Sequence, residues 1–221
     1  MPFVSKSLAL DFRRIALSIA LLSITPLSIE NARGADKDRA RFEAPPIDSL
    51  KAKQTQAGVT VAAQPFDTEV RMQAAFGKLN LSRHGILPVL VAIRNDSRQA
   101  IRFDNLRIEY IGPDRSHVEA TPAGEIAYLG GAKRPKMNTG GPVPGLPGRI
   151  GRSKNPLSDW QVEGRAFSAK MLPPNESSSG FFYFQTQHHS GAKLYVTGIR
   201  EAGSGKELFY FEIPLPDRGT P

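Results

Sequence analysis

Apolar residues in this chain come in short runs, separated by turns rich in glycine, proline, asparagine and aspartate. Val59, Val61 and Ala63 form a strand-like run after Gly58 that Phe66 closes. Asp67 is placed to cap a helical turn through Glu69, Val70 and Ala74, which Gly77 stops. From Ile86 to Ile93 nearly every position is apolar and several are β-branched, which predicts a strand covered on both faces. Asn95, Asp96 and Ser97 supply the turn that ends it. Ile101 and Phe103 precede a break at Asp104 and Asn105. Leu106, Ile108 and Tyr110 then alternate with Arg107 and Glu109, giving one buried and one wet face. Gly112-Pro113-Asp114 turns the chain, and Thr121 with Pro122 opens a short helix that Gly130 and Gly131 end.

Strand signals resume at Trp160 to Val162 and at Phe181 to Phe184, with Ser177, Ser178 and Ser179 read as a turn after Pro173-Pro174-Asn175. Leu194 to Ile199 and Leu208 to Ile213 follow, joined by Ala202-Gly203-Ser204-Gly205 as a hairpin connection. The pattern predicts an all-β fold, an antiparallel immunoglobulin-like β-sandwich of about seven strands with one or two short helices.

Ahead of these elements the pattern changes. Lys6, Arg13 and Arg14 make a basic start, Ile15 to Ile29 is largely apolar, and Ala32 and Gly34 put small residues at the third and the last position before a cut ahead of Ala35. Residues 1–34 therefore read as a cleavable signal peptide, and the mature protein is expected in the periplasm or outside the cell. The Arg13-Arg14 pair partly resembles a twin-arginine export signal, although a general secretory signal accounts for the pattern. The apolar run is interrupted by Pro26 and falls short of the ~20 residues that span a bilayer, so no stable membrane span is expected after cleavage. Residues 35–57, charged and carrying Pro45 and Pro46, read as a flexible lead-in; residues 58–216 read as the β-sandwich domain and 217–221 as a tail.

The segment Gly85-Ile86-Leu87-Pro88-Val89-Leu90-Val91-Ala92-Ile93-Arg94-Asn95 resembles the early core strand of uncharacterised secreted bacterial immunoglobulin-like sandwich proteins. Gly180-Phe181-Phe182-Tyr183-Phe184 resembles a later aromatic strand of the same proteins. The resemblance spans roughly residues 58–216, lacks the paired cysteines of antibody domains and implies nothing about catalysis.

The chain has no cysteine, which excludes disulfides, thiolate ligands, thiol nucleophiles and a lipid-modified cysteine. His188 and His189 are adjacent, and on a strand they would point to opposite faces; with His84 and His117 alone on predicted turns, no metal or cofactor is expected. The serines before Gly180 lack a nucleophile elbow, Glu176 and Asp159 lack an acid partner, and Gly145, Gly148 and Gly151 lack the strand and helix of a phosphate cradle. No catalytic residue is assigned. Trp160, Phe181, Tyr183 and Tyr210 read either as core or as an aromatic face for a sugar or peptide. Asn80, Asn95 and Asn175 head glycosylation-type triplets, from which no modification is read.

Charge changes the picture in one place. Residues 130–158 carry Lys133, Arg134, Lys136, Arg149, Arg152 and Lys154, no acidic residue, seven glycines and five prolines. Beyond residue 34 the chain has 25 basic residues against 19 acidic ones, so this loop accounts for the whole excess of plus six. Its composition favours an extended backbone over a packed one. The expected function is a non-enzymatic binding or structural module of the cell envelope, contacting an anionic polymer, lipid headgroup or protein through those six residues. Nucleic acid is not the expected partner, because the loop offers no aromatic side chain for base stacking. The alternative is an extracytoplasmic hydrolase or carbohydrate-active domain.

Overall fold

The computed structural model describes residues 42–129, 155–158, 160–208 and 210–218. Residues 1–34, read as a signal peptide, and all six basic residues of the segment 130–158 lie outside the described residues. The strands are β1 (Ala52–Gln56), β2 (Val59–Pro65), β3 (Leu87–Asn95), β4 (Ile101–Arg102), β5 (Arg107–Ile111), β6 (His117–Glu119), β7 (Met171–Leu172), β8 (Glu176–Phe184), β9 (Lys193–Thr197), β10 (Arg200–Glu201) and β11 (Phe211–Pro214). Among the described residues three short α-helices accompany them, α1 (Glu69–Phe76), α2 (Ala123–Ile126) and α3 (Trp160–Gly164). The fold is all-β: three antiparallel sheets run in the orders β1-β2-β3-β8, β10-β4-β7 and β11-β9-β5-β6. The described residues thus hold eleven strands where the pattern predicts about seven.

Strand alternation builds the core. Val89, Val91 and Ile93 of β3, with Val59 and Val61 of β2, share one cluster with Ile108, Tyr110, Leu194, Val196, Phe211 and Ile213. The two four-stranded sheets therefore face each other across common apolar surface. The intervening residues point the other way. Leu90 of β3 and Phe181 and Tyr183 of β8 pack with Met72 and Phe76 of α1, Ile126 of α2 and Val162 of α3. Ala62 and Ala92 are covered by Ile47 and Leu50 from the 3₁₀ turn Ile47–Ser49 and its end. This explains why the β3 sequence is apolar throughout: both of its faces are buried, by a sheet on one side and by helices on the other.

Two glycines are set by close approach. A Cβ at Gly180 would stand 2.4 Å from Phe167 Cα, where the backbone bonds to β8 through Phe181 N–H to Arg165 O (2.8 Å). Gly198, at φ +80°, lies against the backbone of Asn105, which leaves no room for a side chain.

Several local expectations differ from the structure. β1 pairs with β2 across its whole length and lies inside the segment read as a lead-in. Trp160 to Val162 opens α3 and is no strand, because Val162 alone faces the core while Trp160 is 57 % exposed. Ser177, Ser178 and Ser179 belong to β8 and pair with Arg94, Ile93 and Ala92, not to a turn. The α1 cap is Thr68, whose hydroxyl accepts from Arg71 N–H at 3.4 Å, and not Asp67. At the helix after Thr121 the cap position is Pro122, with no side-chain cap bond.

Candidate functional site

Four chain segments meet at one end of the sheets: the exit of β2 at Asp67, the 3₁₀ turn Leu81–His84 leading into β3, the exit of β8 at Thr186 to His188, and the exit of β11 at Pro216 to Arg218. Loops held this way on a rigid scaffold are the usual place for binding residues. Between them lies a cleft of about 220 Å³ whose walls include Asp67, Asn80, Arg83, His188 and Arg218.

Asp67 is the unusual member. It is 6 % exposed, and neither carboxylate oxygen accepts a hydrogen bond. Its charge is met only at ion-pair range, by Arg71 Nη1 at 3.7 Å and Arg218 Nε at 3.9 Å. Arg218 holds its place by donating from Nη2 to the Asp67 carbonyl at 3.4 Å, and its side chain is 73 % exposed. A carboxylate has about four acceptor positions, and leaving them empty in a buried site costs free energy.

The back of the cleft is a small relay. His188 Nε2 donates to the Pro216 carbonyl at 2.8 Å, and its Nδ1 faces the Tyr110 hydroxyl at 3.5 Å. The same hydroxyl accepts from His189 N–H at 2.8 Å. Burial pushes the Tyr110 phenol above its ordinary range; the His189 bond works against this, and the negative charge of Asp67 adds to it. These bonds tie the exits of β8 and β11 to β5, so the cleft has a fixed rear wall. At the front, Asn80 Oδ1 accepts from Arg83 N–H at 3.4 Å, which caps the 3₁₀ turn. The Arg83 guanidinium reaches the cleft without an ion pair to any other described residue.

The aromatic residues singled out in the sequence do not share a face. Phe181 and Tyr183 are buried with Phe42, Phe66 and Phe76, and the Tyr183 hydroxyl donates to Val162 O at 2.7 Å. Trp160 is exposed on α3, and Tyr210, 51 % exposed, packs on Tyr195 of β9 with ring centroids 5.3 Å apart. His117 is the first residue of β6, just after the turn that follows β5, and lies beside Glu109 at 3.0 Å, so it sits on a strand and not on the turn expected from the sequence. Among the glycosylation-type triplets, Asn95 is fully buried and spends its amide on the carbonyls of Gln99, Leu172 and Pro173. At the end of the basic segment 130–158, Leu157 is buried and Asn155 donates to the Ala127 carbonyl, so residues 155–158 are docked on the fold.

Sequence reading missed Asp67, Arg71, Arg83 and Arg218 as a group. Asp67 looked like a helix cap because an aspartate before a short helical run usually is one. The arginines are scattered over the chain, and only the convergence of strand ends brings them together.

No helix among the described residues is long and apolar enough to cross a membrane. No family model matches the chain, and no curated protein does. Among solved structures it is similar to the crystal structure of a Bacillus subtilis protein designated a candidate lipoprotein (ycdA), at 11 % identity and a TM-score of 0.36, covering 75 % of this chain and 39 % of that one.

Proposed function

We propose that this chain is an exported, non-enzymatic binding module of the cell envelope, built as an immunoglobulin-like sandwich, that contacts an anionic partner. The observation that carries this reading is Arg83, a guanidinium without an ion partner among the described residues, at the mouth of a cleft made from strand-end loops. A planar fork of five donors suits a carboxylate or phosphate group. The basic run from Lys133 to Lys154 adds a second source of positive charge in the sequence. Residues 1–34 carry the export reading, and the two facing four-stranded sheets support the sandwich.

The test is binding of the full chain to heparin and to phosphatidylglycerol vesicles over a salt series. Affinity falls as salt rises, because charge contacts at the surface are screened beyond ~8 Å at physiological ionic strength. Arg83→Gln weakens binding, and replacing the six loop basic residues by glutamine weakens it further, with melting temperature unchanged. Binding that is indifferent to salt, or to both sets of substitutions, removes the reading.

A second reading rests on the outer face of the sheet β11-β9-β5-β6. There the half-buried Tyr195 lies in a row with Glu212 and Glu109 and packs on the exposed Tyr210, each carboxylate beside a cation or histidine. Rings flanked by acceptors and donors suit a neutral sugar, which is the carbohydrate-active alternative. Retention on insoluble polysaccharide that Tyr210→Ala abolishes would favour it.

A further inference from the structure

We propose that Asp67 is the recognition group of a cation subsite in the cleft, taking a guanidinium or primary ammonium group, and that Arg218 occupies this subsite as an internal stand-in. The argument begins with a cost. A carboxylate 94 % removed from solvent by the figure of 6 % exposure, with both oxygens unbonded, is an arrangement proteins rarely keep without use. Its attraction to Arg71 and Arg218 is real at 3.7 and 3.9 Å, but both distances are too long for hydrogen bonds, so its acceptor capacity is unspent.

The two arginines differ in kind. Arg71 belongs to α1, its side chain is 20 % exposed, and it also donates to the Pro65 carbonyl at 3.5 Å, so it is part of the scaffold. Arg218 comes from beyond β11, is 73 % exposed and covers Asp67 from the cleft side. Swinging it aside opens the carboxylate to the cleft while leaving Arg71 in place. A cationic group arriving there would then make the short charge-assisted bonds that Arg218 does not make.

The cleft sets the size. At about 220 Å³ it lies below the ~300 Å³ of the smaller drug-sized sites, which fits a small amine or guanidine, or one basic side chain of a peptide. This goes beyond the anionic-partner reading and stands if that reading fails, because Asp67, not a basic residue, does the recognising.

The experiment is calorimetric titration of the full chain, parent and Arg218→Ala, with agmatine, with a short peptide holding one internal arginine, and with acetate. Removing the stand-in relieves the competition, so Arg218→Ala binds agmatine or the peptide roughly tenfold or more tighter than the parent. Agmatine binding assigns a small-molecule source, and binding of the peptide alone assigns a basic side chain. Asp67→Asn in the Arg218→Ala background abolishes both. If that double variant does not fold, the ring resonances of His188, which lines the same cleft, report instead, and they shift when agmatine or the peptide is added to Arg218→Ala. The proposal is overturned if Arg218→Ala keeps its fold and binds neither cation, which makes Asp67, Arg71 and Arg218 a structural ion triad. It is overturned equally if only acetate binds, or if the double variant folds and binds as before.

Discussion

Tyr183 shows how one residue can be both core and polar. Its ring is buried between Phe76 and Phe181, and its hydroxyl donates to the Val162 carbonyl, so β8 and α3 are joined by one hydrogen bond inside an apolar cluster. Burial pushes its phenol well above the ordinary range, with the positive charge of Arg165 pulling the other way. The sign follows from linkage. A group with a raised folded value contributes stability that is fully present below its unfolded value, near ~10 for tyrosine, and is lost as pH climbs toward the folded value. Tyr183→Phe should therefore cost about 1 kcal/mol at neutral pH through the lost bond, while flattening the decline of stability above pH ~10. Denaturant melts of parent and variant across the alkaline range check both halves. An unchanged alkaline slope would show that the phenol ionises without regard to folding. Asp67 makes the complementary point, since its residue type alone suggests a cap and only its surroundings reveal a buried charge.

At the level of elements, β3 was legible and its neighbours less so, for reasons that lie in burial. A strand covered on both sides must be apolar at nearly every position, and the length and β-branched residues of Ile86 to Ile93 favour a strand over a buried helix. β6 is a three-residue edge strand in which Val118 alone turns inward between the exposed His117 and Glu119, too short for its alternation to stand out. β1 exposes Lys53 and Thr55 and contributes no large apolar side chain, which made it resemble the charged segment before it. α3 is a single turn with one inward residue, too short for helical periodicity to separate it from a strand. The central role of β3 gives a direct expectation. Val91 and Ile93 are fully buried between the two large sheets, so Val91→Ala and Ile93→Ala should each remove roughly 1 to 4 kcal/mol through lost contact and a cavity. Thermal or urea melts measure this, and two variants melting with the parent would place the core elsewhere.

For the whole molecule, the sheets were readable in outline because their apolar strands carry their own signals, whereas the cleft depends on where distant strand ends meet. Asp67, Arg83, His188 and Arg218 span most of the chain, and no spacing rule links them. The same long-range logic decides where the fold starts. Phe42 packs on Phe66 at 5.8 Å and on Phe181 at 5.4 Å, and Ile47 and Leu50 cover Ala62 and Ala92. Arg94 of β3 grips Asp48 at 2.7 Å, and that bond with its guanidinium holds the Asp48 carboxyl below its usual value. Residues 42–50 therefore belong to the folded unit, although their composition suggested a flexible lead-in. A cut before Ala35 would leave all of them intact. Deleting residues 1–34 should accordingly leave the melting temperature unchanged, whereas deleting residues 1–50 should lower it, since it strips Phe42, Ile47 and Leu50 from the sheet they cover. The mass of the exported product should match a chain starting at or near Ala35. A drop in melting temperature on removing only residues 1–34, or an exported product still carrying Met1, would mean that this segment serves the mature fold and is no signal.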